Sequence, residues 1–182
     1  MGSPSSGGGV TTEARRGTGE RFGDLSVAAT GLGEFGQDEL DQQDAWLLNE
    51  AREVTESAYA PYSNFNVGAV AKLANGEIVA GTNQENASYP VGLCAERVLL
   101  ASASTLYPNI AIDSIAISYN NNNGESNHPI SPCGMCRQSL VEYEERVKQP
   151  IRLILSGMEG KVFVIEKTTN LLPLSFGSVD LK

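Results

Sequence analysis

Every cysteine of this 182-residue chain falls in one of two short segments, Cys94-Ala95-Glu96-Arg97 and Pro132-Cys133-Gly134-Met135-Cys136. Cys133 and Cys136 stand three apart at an expected helix start. That spacing puts both sulfurs on one helix face, where they can share a metal. Cys94 opens a second expected helix. If the two helix N-termini converge, three thiolates meet beside partially positive helix ends, a field that favours the thiolate form. A structural zinc site is usually closed by four protein ligands, whereas a catalytic one keeps a position open for water. Three sulfurs with no fourth cysteine fit the open kind. Glu96 lies in the first turn of its helix, within reach of that water, and a metal-activated water beside a carboxylate is a hydrolytic unit. Two other readings of these residues stay open at this level. One is a closed structural site with His128 as fourth ligand. The other is a C-x-x-C redox pair that leaves Cys94 and Glu96 idle.

The elements that must carry these groups are legible around them. Leu47, Ala51, Val54 and Ala58 recur at helical spacing, with Asp41 or Asp44 as the cap and Pro61 beyond the end. Phe65 to Leu73 and Glu77 to Thr82 read as strands, joined by Asn75-Gly76, a hairpin turn that tolerates positive φ. A helix follows from Cys94 to Ser104, a buried strand from Ile110 to Tyr119, and a polar asparagine loop from Asn120. A third helix runs from Cys133 to Val147. Ile151 to Ser156 and Val162 to Ile165 are two more strands. Their link is too short for a parallel crossover, so they should be antiparallel neighbours. A short helix from Thr169 to Leu172 closes the chain. Helices interleaved with five strands predict an α/β fold, a three-layer α/β/α sandwich with a five-stranded mixed sheet.

The composition narrows the function. The net charge is -9, from 13 basic and 22 acidic side chains, and this disfavours nucleic acid polymers and membrane surfaces as partners. The single histidine, His128, removes Ser-His-Asp machinery and His-rich metal sites. Three cysteines are too few for a disulfide scaffold, and no signal peptide is readable, so a reduced, cytoplasmic protein is expected. Residues 1–41 hold 10 of the 19 glycines and lack apolar periodicity. They read as a flexible tail, the alternative being an arm that docks on a partner through Phe22, Leu25, Val27 and Leu32. Residues 42–182 are the expected catalytic domain.

Cys-Ala-Glu followed by Pro-Cys-x-x-Cys, with Cys133 39 positions after Cys94, resembles the zinc-dependent nucleoside and nucleotide deaminases. Tyr62-Ser63-Asn64-Phe65-Asn66-Val67-Gly68-Ala69, Asn83-Gln84-Glu85-Asn86-Ala87-Ser88-Tyr89-Pro90, Ser131-Pro132-Cys133-Gly134-Met135-Cys136-Arg137-Gln138 and Leu171-Leu172-Pro173-Leu174-Ser175-Phe176-Gly177 narrow the resemblance to the short, homotetrameric cytidine deaminases. The resemblance covers about Leu47 to Leu181. It implies that one zinc per subunit is held by Cys94, Cys133 and Cys136, with Glu96 as the proton shuttle. It implies that Phe65 packs beside the nucleoside, that Asn83 and Glu85 meet the ribose hydroxyls, and that the backbone of Ala95 and Ser131 meets the pyrimidine edge. Phe176 would reach into a neighbouring subunit's site in a homotetramer with shared active sites. The implied reaction converts cytidine and 2′-deoxycytidine to uridine and 2′-deoxyuridine with release of ammonia, in pyrimidine salvage.

Residue chemistry agrees with these roles. Three thiolates and Zn²⁺ sum to a net negative centre. Arg97, one helical turn after Cys94, could donate to thiolate sulfur from beyond the ligand set and offset that charge. Asn83 and Glu85 alternate on an extended segment and so face one side. Met135 stands where the family usually has a small residue, and its bulk is expected behind the zinc. The Asn120 to Pro129 loop is longer than in compact relatives and is expected at the pocket rim or an interface. Two other functions share these features: a deaminase of a modified nucleoside or an aminopyrimidine antibiotic, and a catalytically silent zinc-stabilised assembly module.

Overall fold

The computed structural model describes residues 31–182. Its centre is one mixed six-stranded sheet in the order β1-β6-β5-β4-β2-β3. The strands are β1 (Leu32–Phe35), β2 (Phe65–Leu73), β3 (Ile78–Thr82), β4 (Ile112–Asn121), β5 (Arg152–Ser156) and β6 (Val162–Ile165). Only β4 and β5 run parallel, which requires the crossover helix between them. The last two strands pair antiparallel, Leu153 facing Ile165 and Ser156 facing Val162.

Side chains alternate along the central strands, and both faces are covered. Ala69, Ala71, Ile115, Ile117, Leu153 and Leu155 point to one core. Their neighbours Val70, Ala116 and Ile154 point to the other. Helix α1 (Gln42–Glu53) covers the second face with Leu47, Leu48 and Ala51. Asp41 caps it, accepting from the Asp44 amide at 2.8 Å. The helix tightens into a 3₁₀ turn, Val54–Ser57, where the Thr55 hydroxyl bonds back to the Arg52 carbonyl at 2.7 Å. Helices α2 (Ala95–Leu106) and α3 (Gly134–Val147) cover the first face through Leu99, Ala103, Leu140 and Tyr143. The three expected layers are present.

The expected count of five strands is corrected to six. The extra strand, β1, comes from the glycine-rich stretch assigned to the tail and pairs antiparallel with β6, Leu32 facing Ile165. Four residues without clear alternation carry no strand signal of their own; the open edge of β6 supplies the pairing. Residues 1–30 of that stretch, with Phe22, Leu25 and Val27, lie outside the described residues. Two further shifts are small. The strand expected over Ile110 to Tyr119 lies two residues later, because its end continues the ladder with β2, Asn121 opposite Phe65. The helices expected from Cys94 and Cys133 start one residue later, leaving each cysteine as the N-cap.

Candidate metal centre and nucleoside pocket

Two loops deliver the sulfurs to one point. Cys94 and Cys133 both have extended backbone as the N-caps of α2 and α3, and Cys136 lies in the first turn of α3, fully buried. The Cys94 and Cys133 sulfurs are 3.8 Å apart, and those of Cys133 and Cys136 are 3.4 Å apart. All three ligand atoms lie within 4.8 Å of one another. A tetrahedral zinc with Zn–S near 2.3 Å needs sulfur separations of about 3.8 Å, so these thiols fit the ion. His128 takes no part. Its Nδ1 lies 3.2 Å from the Tyr119 hydroxyl, and the structure groups only the three cysteines as ligands among the described residues.

The electrostatics already favour a thiolate. The Cys94 thiol is lowered to about 6, chiefly by a hydrogen bond from Cys136, and the same contact holds Cys136 up. Glu96 is buried against this cluster, and burial raises its carboxyl above the usual range. A neutral or readily protonated carboxyl beside an acidified water is the requirement for moving protons near neutral pH.

A cavity of about 550 Å³ opens in front of the sulfurs. Cys94, Ala95, Glu96, Ser131 and Cys133 line it. Phe65, Asn83 and Glu85 line the same cavity. Phe65 is held by stacking on buried Tyr119, with ring centroids 4.8 Å apart and planes 13° from parallel. The Asn83–Glu85 segment is extended because backbone bonds pin it from two sides. The Gln84 and Leu93 amides and carbonyls exchange bonds at 2.9 Å, and the Glu85 amide donates to Tyr59 at 2.8 Å. Glu85 accepts from the Tyr62 and Ser63 amides at 2.9 and 3.3 Å. The Ser63 hydroxyl, with those amides, holds its carboxyl below the usual range. Asn83 is spoken for in part. Its Oδ1 accepts from the Val67 amide at 2.7 Å and its Nδ2 donates to the Phe65 carbonyl at 2.9 Å. One Nδ2 hydrogen and one Oδ1 lone pair remain for a ligand.

One group, Met135, stands elsewhere than expected. Met135 is 63% exposed and lines the cavity, in front of the sulfurs rather than behind them. The first turn of α3 points it outward, while Cys136 faces in. Arg97 lines a separate groove of about 280 Å³ between α2 and α3, with Glu142 and Arg146. Phe176 is 59% exposed and lies outside its own chain's cavity; its carbonyl accepts from Gln138 Nε2 at 2.8 Å.

A clasp that spacing does not reveal holds the Pro132 loop. Arg137 donates to the Pro132 carbonyl at 2.9 Å and to the Leu171 carbonyl at 3.1 Å. The Leu171 segment is in turn tied to α3 by buried Glu144, which accepts from the Ile151, Thr168 and Thr169 amides. Its only sequence trace is a basic residue following Cys136 and an acid on the buried stripe of a helix.

Residues 41–149 match the family described as the cytidine and deoxycytidylate deaminase zinc-binding region. The chain is 41% identical over 122 residues to cytidine deaminase of Mycoplasma genitalium, a match spanning 67% of this chain and 88% of that one. It is 35% identical over 142 residues to cytidine deaminase of Halalkalibacterium halodurans, across 78% and 98% of the two chains. The crystal structure of cytidine deaminase from Burkholderia pseudomallei superimposes with a TM-score of 0.63 at 37% identity, covering 75% of this chain and 100% of that one. Three thiols at zinc spacing, a buried carboxylate beside them and this agreement in sequence and fold have one explanation: the chain belongs to the cytidine and deoxycytidylate deaminase family.

Proposed function

We propose that this chain hydrolyses cytidine and 2′-deoxycytidine to uridine and 2′-deoxyuridine, releasing ammonia. The observation that carries the reading is buried Glu96 beside three zinc-spaced thiols, lining one cavity with Asn83 and Glu85. Cys94, Cys133 and Cys136 would hold zinc, which would supply the Lewis acidity that makes a water more acidic. Glu96 is placed to take a proton from the attacking water and deliver it to N3 of the cytosine ring, which makes C4 electrophilic. After the water oxygen bonds C4, Glu96 carries the second proton to the amino group, and the C4–N bond breaks to give ammonia. One carboxylate thus serves as base and then as acid. The Ala95 amide, first of α2, has no intrahelical acceptor and is free to meet the pyrimidine's polar edge, together with the Ser131 backbone. Glu85 is a charged acceptor suited to the 3′-hydroxyl, Asn83 offers its remaining donor to the ribose, and Phe65 packs on the nucleoside.

Arg97 would act on the thiolates through its positive charge, which lowers the Cys94 thiol. Residues 42–182 would form the catalytic domain. Exposed Leu174, Phe176, Val179 and Leu181 support a homotetramer in which Phe176 completes a neighbour's site. Ligand thiols need a reducing compartment, which supports the cytoplasm and a role in pyrimidine salvage. Among the described residues, no helix is long and apolar enough to cross a membrane.

Ultraviolet loss of cytidine by the purified protein, with and without a zinc chelator, tests the activity. Cytidine should be consumed, and chelation should stop it; an intact, zinc-loaded protein that leaves cytidine unchanged refutes the reading. Light scattering tests the assembly: a fully active monomer removes the role given to Phe176.

A further inference from the structure

Glu85 makes no ion pair with any described residue, so hydrogen bonds must orient it. Those bonds come from one short turn: the Tyr62 and Ser63 amides and the Ser63 hydroxyl. The turn is itself unusual. Asn64 has φ +55°, in the left-handed region that asparagine tolerates better than other non-glycine residues but still at a cost that surrounding contacts offset.

The holding contacts come from the asparagine run at the end of β4. The Asn122 amide donates to the Asn64 carbonyl at 2.9 Å. Asn123 Nδ2 donates to the Ser63 carbonyl at 3.0 Å, and Asn64 Nδ2 donates to Asn123 Oδ1 at 3.4 Å. Asn121 folds the run back on itself. Its Oδ1 accepts from the Asn123 amide at 3.1 Å, and its own amide donates to Ser126 Oγ at 2.8 Å. Asn123 does not line the cavity, so any effect it has on a ligand passes through the Ser63–Asn64 turn.

We propose that Asn123 is a positioning residue for the sugar end of the substrate: it latches the Ser63 turn, and the turn aims the Glu85 carboxylate. This rests on the function proposed above, in which Glu85 accepts the 3′-hydroxyl. The longer β4–α3 loop thereby gains a role in substrate binding from outside the pocket.

The test compares the wild type, Asn123→Ala, Asn123→Asp and Glu85→Ala on cytidine and on 3′-deoxycytidine, which lacks the hydroxyl in question. Asn123→Ala removes one firm hydrogen bond and one long one, so KM for cytidine should rise about five- to tenfold. Its kcat, and its KM for 3′-deoxycytidine, should stay within about twofold of wild type. Asn123→Asp keeps the acceptor for Asn64 and loses the donor to Ser63, and should show the same split. Equal losses on both substrates would mean general loosening and overturn the proposal, as would no loss on either. A wild type inert towards cytidine defeats the functional reading instead. A Glu85→Ala variant that weakens both substrates equally defeats the Glu85 assignment, and the proposal falls with it. A split in Glu85→Ala without one in the Asn123 variants counts against Asn123 alone.

Discussion

Gly81 lies on β3 where α2, the helix that carries Cys94 and Glu96 at its start, crosses the sheet. A methyl added there would sit 2.4 Å from the Leu99 amide nitrogen, 2.6 Å from the Ala95 carbonyl oxygen and 2.9 Å from Leu99 Cα. All three are backbone atoms of α2, so no side chain can rotate away; the helix must retreat by about 1 Å to restore ordinary contact distances. Overpacking of this kind costs about 1–3 kcal/mol, and the lack of a soft neighbour puts Gly81→Ala towards the top of that range. The smaller entropy of the unfolded chain returns about 0.4–1 kcal/mol. The net of about 2 kcal/mol should lower Tm by about 4–8 °C for a chain of this size. Activity should fall further than stability suggests, because a displacement of about 1 Å at a reacting group costs up to about a hundredfold in rate. Calorimetry and kcat/KM for cytidine measure the two effects. Gly134→Ala is the control, since a methyl there meets nothing within 4 Å. Melting within a degree of wild type, with unchanged kcat/KM, would refute the account of why α2 sits where it does.

Glu96→Gln should retain zinc by elemental analysis and lose about 10²- to 10⁴-fold in kcat, since an amide cannot shuttle protons; near-normal turnover removes Glu96 from the mechanism. Cys133→Ala should lower the zinc content well below one per chain, and full occupancy would argue against ligation. Glu144→Gln leaves one of three backbone donors facing an amide NH₂ and removes the charge from the other bonds. It should cost about 2–3 kcal/mol in urea unfolding, and an unchanged midpoint would contradict the clasp. Glu85 has a depressed pKa, so its charge is complete at neutral pH and is lost only as pH falls through the depressed value. KM for cytidine should therefore stay flat from about pH 8 to pH 5, below which carboxylates of ordinary pKa begin to titrate. A tenfold rise already at pH 6 would mean that another group holds the sugar.

The cluster of three thiols with Glu96 beside it was legible because its information is local. Cys133 and Cys136 share a face by helical geometry alone, and Cys94 and Glu96 sit in one turn. The short apolar runs at Phe65 to Leu73 and Ile151 to Ser156, and the Asn75-Gly76 turn, placed most of the sheet for the same reason. What lay beyond reach depended on contacts between distant segments. The β1 strand exists because β6 leaves an edge open, not because Leu32–Phe35 demands extension. Met135 lines the cavity because the first turn of α3 points it outward while Cys136 faces in, a choice of face that spacing alone leaves open. The Asn83 amide is half consumed by the backbone of β2, a bond made across sixteen residues that composition cannot foretell. The meeting of three sulfurs was a condition in the sequence: spacing could name the thiols, but the sheet, pressing two helix N-termini together on one face, brings them within reach of a single ion.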